Sequence, residues 1–323
     1  MEIGSFLDLQ LPKGKEWYKG EENIARLNTG RAALWHAFRC TGAKSIWLPC
    51  YQCDSVREFF RKKGVKDIKF YHIDKNFNPT DLFATEDEAV MLVNYYGIMS
   101  HERMRILSLS YPKAIIDNCQ AFFCEPVEHA INVYSCRKFV GVPDGAYVIG
   151  KGVHQFVDEY PQCYSSDTAA FLLKRIEYGC EGKGYEARSM NEYRIDSEDA
   201  MKMSKLTRYI LDGSDYEYNQ QKRKENFAIA ESLLRDINLL DPMRFMDDKT
   251  IPMVYPLIVE DDGLLKRLLD AKHFQGHWWS YICDEQPMDS FEHWISRYVI
   301  PITIDQRYGN RELEYLNNII RCR

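Results

Sequence analysis

Lys138 stands where a lysine is hard to explain as a surface charge. In YSCRKFVGVPDGAYVI (134–149) it follows an apolar run, with Ser135 three residues before it. Gly141 and Asp144-Gly145 then make a turn into a second apolar run, Ala146–Ile149. A lysine among apolar and small residues suits covalent chemistry. Its amine can form a Schiff base once burial and a nearby cation, here Arg137, favour the neutral form. The alternative is a structural ion-pair partner. Asp117 comes directly after the apolar Ala114–Ile116, with Gln120 three residues on. A carboxylate at a strand end can pair with a protonated ring nitrogen, or it can simply cap a helix. Thr29-Gly30-Arg31 precedes a helical pattern. Free N–H groups and the helix dipole suit a phosphate there, although Thr-Gly is also an ordinary helix start.

Together the three features match what pyridoxal phosphate (PLP) chemistry needs. A lysine forms the Schiff base, a carboxylate keeps the pyridine nitrogen protonated so that the ring draws in electrons, and a helix start with hydroxyls holds the phosphate.

The elements that must position these groups alternate. Residues 23–40 read as a helix that begins after Thr29-Gly30. Short strands are expected at Ser45–Leu48, Lys66–Ile73, Ala89–Val93, Ala114–Ile116, Asn132–Tyr134 and Ala146–Ile149, with an amphipathic helix at Ser55–Lys63. Strands separated by helices imply an α/β fold with a mainly parallel sheet covered on both faces. Beyond about 200 the pattern changes to helices at Ala200–Leu211 and Tyr216–Asn238, a strand at Met253–Val259, a helix at Gly263–Ala271, a strand at Val299–Ile302 and a closing helix at Arg311–Ile320. The expectation is a large cofactor-binding domain over 1–215 and a smaller C-terminal α+β domain over 216–323.

Composition narrows the function classes. The chain has 323 residues, 45% hydrophobic and 28% charged, which argues against long disorder. A net charge of −6 does not suit a nucleic-acid binder, which needs basic surface against phosphates. The run Arg61-Lys62-Lys63 suits the last turn of a helix. No stretch approaches the roughly 18 apolar residues of a membrane span, and the first twenty residues do not read as a signal peptide. A cytoplasmic protein is expected, with its ten cysteines reduced. Cys50 and Cys53 form a lone CxxC with no second half to complete a metal site, so no metal is expected.

Several segments resemble the DegT-type sugar aminotransferase family, within the fold-type I PLP enzymes. They are TGRAAL (29–34), LPCYQCDSV (48–56), VMLVNYYGI (90–98), IIDNCQAFF (115–123), SCRKFVGVPDGAY (135–147) and RYVIPITIDQRYGNRELEYL (297–316). The likeness spans about residues 25–320, and the Asp-x-x-Gln and Lys segments are its most specific part. It implies that Lys138 is the Schiff-base lysine and proton shuttle, that Asp117 binds the pyridine nitrogen, and that Gln120 lies near the phenolic oxygen. Thr29, Gly30, Arg31 and Ser135 would hold the phosphate. Tyr51, Tyr95 or Tyr96 would stack on the ring. MNEYRI (190–195) is similar to a segment that reaches the partner subunit's cofactor, which points to Asn191 and Arg194. The pattern departs from the family in three places: Cys53 where an aromatic residue is frequent, Ser135 only three residues before the lysine, and MNEYRI offset by one.

The resemblance implies transfer of an amino group from glutamate to a nucleotide-linked keto-sugar, in a homodimer with the site at the subunit interface. The alternatives are another fold-type I PLP enzyme acting on amino acids, or a non-catalytic regulatory protein of the same fold. Trp278, Trp279 and Tyr281 are candidates to line a sugar pocket, with core packing as the plainer reading. His72 and His101 read as ordinary surface or core histidines.

Overall fold

The computed structural model describes residues 6–274 and 276–322. Its first half alternates as β1 (Ile24–Leu27), α1 (Gly30–Thr41), β2 (Ser45–Pro49), α2 (Asp54–Lys62), β3 (Asp67–Ile73), β4 (Pro79–Thr80), β5 (Ala89–Val93), α3 (His101–Ser108), β6 (Ala114–Asp117), β7 (Ile131–Ser135) and β8 (Ala146–Ile149). These strands make one sheet in the order β1-β8-β7-β6-β5-β2-β3-β4. The central pairs β2–β3, β2–β5, β5–β6 and β6–β7 are parallel, and β8 runs antiparallel to both its neighbours. Every residue of β5, β6, β7 and β8 is buried, as expected of strands covered on both faces. The mainly parallel α/β sheet expected from the sequence is present.

Helices α4 (Ala170–Tyr178), α5 (Lys183–Ser197), α6 (Lys205–Asp212) and α7 (Tyr216–Leu234) follow. A second, two-stranded sheet pairs β9 (Val254–Ile258) with β10 (Val299–Thr303). Helices α8 (Leu264–Asp270), α9 (Ile282–Glu285) and α10 (Phe291–Tyr298) lie between those strands in sequence, and α11 (Asn310–Arg321) packs on α7. One apolar core continues from one face of the large sheet into this second layer. The other face is closed by α1 and α2.

The structure differs from the sequence expectations in four places, three of them through partners that the fold brings in. Residues 24–27, which lead into α1, form an edge strand because β8 supplies a partner ladder. Residues 200–204 are not helical; Met203 N–H donates to Arg26 O at 3.0 Å, and Ser204 caps a helix that starts only at Lys205. Helix α7 ends at Leu234, four residues short of Asn238, where Asn238 Nδ2 bonds Pro256 O at 3.0 Å. Helices α4 and α5 had no sequence expectation, and MNEYRI lies inside α5. No helix among the described residues is long and apolar enough to cross a membrane.

Candidate active site

The parallel strands end at one edge, and there the sequence candidates meet. Thr29 is the N-cap of α1: its Oγ1 accepts Ala32 N–H at 3.2 Å. The first N–H groups of a helix have no intrahelical acceptor, so those of Gly30 and Arg31 face outward as an anion cradle. A Cβ on Gly30 would come within 3.0 Å of Cys119 Sγ and 3.8 Å of Ser135 Cβ, so the helix start is pressed against the ends of β6 and β7. Ser135 is the last residue of β7, and its hydroxyl makes no hydrogen bond among the described residues.

Asp117 ends β6, level with Val133 of β7, and is only 7% exposed. Its Oδ1 accepts the N–H of Cys119 at 3.0 Å, and Gln52 Nε2 lies 3.3 Å from its Oδ2. The carboxylate is thereby held at the strand edge, with lone pairs left for a further donor. Cys119 sits between Asp117 and Gly30. Burial pushes its thiol well up and the Asp117 charge adds to this, while the Lys138 charge opposes it. The Cys119 sulfur near Gly30 and its N–H on Asp117 bring the start of α1 against the end of β6.

Lys138 closes a short turn, Cys136–Lys138, after β7. The sequence suggested burial beside Arg137. In the single chain Lys138 is instead exposed, because the turn gives the buried positions to Phe139 and Val140. Arg137 is turned away into an ion pair with Glu192 of α5.

Other candidates are directed elsewhere. Gln120 is buried and accepts Tyr96 N–H on Oε1 at 2.7 Å, which supports Tyr96 in a left-handed conformation (φ 58°). Its Nε2 makes no hydrogen bond among the described residues. Arg31 pairs with the exposed Asp196. Tyr51 and Tyr95 are wholly inside the core: Tyr95 donates to Tyr51 O at 2.9 Å, and the Tyr51 and Tyr96 hydroxyls bond each other. Asn191 is fully buried in its own chain, donating to Pro143 O at 3.1 Å and accepting from Arg194. Trp278 stacks on Tyr96 at 5.5 Å and Trp279 meets Tyr51 edge-on at 4.7 Å, so this aromatic cluster packs over the β2–α2 turn. Gln52 and Cys119 went unnoticed in the sequence. Both lie inside quoted motifs, and nothing in residue type alone aims them at Asp117.

A cavity of about 740 Å³ opens beside Lys138, between the 137–142 turn, α4–α5 and the stretches around β10 and α11. Arg137, Arg175, Arg188, Arg223 and Arg307 line it and outnumber the acidic Glu192, Asp305 and Glu312. Arg223 is buried, donates to Met253 O at 2.8 Å and lies 4.5 Å over the Phe139 ring. Burial without a carboxylate bonded to it brings its pKa down to about 10, against the pull of Asp305.

These residues fit PLP at three points. The Gly30 cradle and the unbonded Ser135 hydroxyl suit a phosphate, the held Asp117 carboxylate suits a ring nitrogen, and the Lys138 amine is free to react. Cys53, where the sequence resemblance led to the expectation of an aromatic residue, is the N-cap of α2.

No family model and no curated protein matches this chain. Solved structures do. DesV from S. venezuelae, in complex with a ketimine intermediate, is 14% identical with a TM-score of 0.59, over 93% of this chain and 84% of that one. A DegT DnrJ EryC1 StrS aminotransferase from Brucella abortus is 12% identical with a TM-score of 0.62, over 94% and 86%. NtdA from Bacillus subtilis, with bound cofactor PMP, is 12% identical with a TM-score of 0.63, over 94% and 74%. What is shared at such identities is the architecture: this chain has the fold of these aminotransferases, as its motifs implied.

Proposed function

We propose that this chain is a PLP-dependent aminotransferase that moves an amino group from glutamate to a nucleotide-linked keto-sugar. The observation that carries the reading is the meeting of Asp117, Ser135 and the α1 N-terminus at one strand edge, with Lys138 three residues beyond Ser135 in the turn that follows β7. In open α/β sheets ligands sit beyond the carboxyl ends of the strands. When bound, PLP supplies the carbonyl that Lys138 captures and a ring that withdraws electrons.

The chain's own residues do the rest. Thr29 Oγ1 is committed to capping, so the N–H groups of Gly30 and Arg31, with the Ser135 hydroxyl, bind the phosphate. Asp117 keeps the ring nitrogen protonated. The Lys138 amine takes and returns a proton at the amino-bearing carbon of the substrate. Gln120 Nε2 is the group left to meet the phenolic oxygen. The cationic cavity beside Lys138 suits the phosphates of a nucleotide-linked sugar. The shared fold supports an amino-group transfer: DesI, 16% identical with a TM-score of 0.61, was solved in the presence of its TDP-sugar product.

The same reading includes a division into domains at 215/216, a cytoplasmic setting and a homodimer. The exposed Lys138 and the apolar side chains of α4 and α5 that face solvent support a second copy covering the site. The test is a visible absorption spectrum with added PLP for wild type and Lys138→Ala, followed by glutamate. The expected result is a visible band that the variant lacks and that glutamate bleaches. Identical spectra for both proteins would remove Lys138 as the anchor and the function with it.

A further inference from the structure

Gln52 lies in the β2–α2 turn, buried, two strands away from Asp117 in the sheet. Its side chain crosses below the end of β5. There Nε2 meets Met91 Sδ at 2.9 Å and Asp117 Oδ2 at 3.3 Å. The second distance is just beyond the usual range, and such contacts tighten when a site fills. Main chain from Asp117's own turn holds the other oxygen, through Cys119 N–H. The backbone carbonyl of Gln52 accepts the hydroxyl of Tyr281, from the 278–281 aromatic turn beyond β9. That turn is braced by Trp279 on Tyr51.

We infer that Gln52 is a positioning residue. It fixes the rotation of the Asp117 carboxylate so that one lone pair faces the ring nitrogen of the bound cofactor, and Tyr281 in turn fixes Gln52. The terminal torsion of an aspartate is soft, so without a second anchor its oxygens turn freely about the Cβ–Cγ bond. A catalytic ion pair needs its groups held within about 0.5 Å and 10–20°. This inference rests on the PLP reading above.

The test uses the full chain as wild type, Gln52→Leu, Gln52→Glu and Tyr281→Phe. Three quantities are read: PLP affinity by absorbance titration, the pH midpoint of the visible band, and the thermal midpoint of the cofactor-free protein. Gln52→Leu fills the same space without the donor. It should weaken PLP binding about tenfold and move the pH midpoint, with the cofactor-free thermal midpoint unchanged. Gln52→Glu should bind PLP near wild-type strength at acid pH, where a carboxylic acid can donate to Asp117. It should fail at neutral pH, where two carboxylates repel. Tyr281→Phe should move the same readings in the direction of Gln52→Leu, by less. If Gln52→Leu binds and titrates like wild type, the inference falls and the PLP reading stands. Loss of cofactor-free stability in Gln52→Leu, with no pH-dependent recovery in Gln52→Glu, makes Gln52 merely structural and also overturns it. A wild type with no Lys138-dependent band sinks both.

Discussion

Asp117 and Ser135 end strands whose every residue is buried, whereas α4 and α5 leave Leu173, Ile176, Met190 and Tyr193 largely in solvent. Helices α4 and α5 line the cavity beside Lys138, which Asp117 and Ser135 do not, and the two regions are built by different means. At the strand edge, position comes from the sheet ladder. The Asp117–Val133 register and the Ser135–Ala146 register set where each side chain emerges to within a fraction of a residue. In the helical pair, position comes from a few anchors: Gly184 against Gly179, Asn191 on Pro143, and the Arg137–Glu192 ion pair. The difference teaches where each kind of change should be felt. Substitutions at the edge should remove chemistry and leave the fold, while substitutions in the hairpin should loosen a local element and leave the chemistry.

The sharpest way to break that contrast is Asp117→Asn. An amide in place of the carboxylate cannot keep a ring nitrogen protonated, so amino-transfer rate should drop about 10²-fold, with PLP still attached to Lys138. Steady-state kinetics beside the absorption spectrum decide it. A variant with wild-type turnover would mean that the strand edge does not carry the chemistry.

A smaller effect is expected from Gly184→Ala. A methyl group there would lie 2.2 Å from Gly179 O, so α5 must move away from the α4–α5 turn. Overpacking of this sort costs about 1–3 kcal/mol. Limited proteolysis around residues 178–184 should speed up while the PLP spectrum stays as in wild type. A changed spectrum would show that the hairpin and the strand edge are one unit.

The smallest effect is expected at an ion pair that, among the described residues, makes no contact with Asp117, Lys138 or the helical pair. Glu16 is buried; Arg26 donates to it at 2.9 Å and Tyr147 donates from β8 at 2.9 Å. Burial works to raise its pKa, but the Arg26 guanidinium and the Tyr147 hydroxyl outweigh this and hold the carboxyl below the ordinary range. Its stabilising contribution is therefore present above the unfolded-chain value of about 4.3 and is lost as pH falls through the lower folded value. Glu16→Gln should flatten the fall of thermal midpoint between about pH 5 and 3. Parallel slopes for the two proteins would show that the ion pair adds nothing.

Much of the fold was legible because burial writes itself into residue type. Ala89–Val93 and Ala114–Ile116 are continuous apolar runs, and both are central strands. Ile24–Leu27 carries Arg26 in a short run beside a helix pattern, and only pairing with β8 makes it a strand. Helix α5 has a polar sequence with little apolar periodicity, since much of it is exposed in the single chain, so it had no signature to read. The positions of Lys138, Asp117, Ser135 and Thr29-Gly30 at strand ends and a helix start were legible because these are local events. The directions of Gln120, Arg31, Tyr51, Tyr95 and Asn191 were not. Each of those side chains is claimed by a partner far away in sequence or by the core.

By itself, the sequence determined the alternation of strand and helix, the residue types at the strand ends, and so the class of chemistry the edge can hold. Periodicity and turn residues act over a few positions, and a single chain reports them directly. Only the tertiary structure decided that Gln52 meets Asp117 across β5, that Tyr281 reaches Gln52 from more than two hundred residues away, and that Arg137 turns to Glu192 instead of to Lys138. Those choices depend on which surfaces pack together, and long side chains follow whichever partner the packing brings within reach.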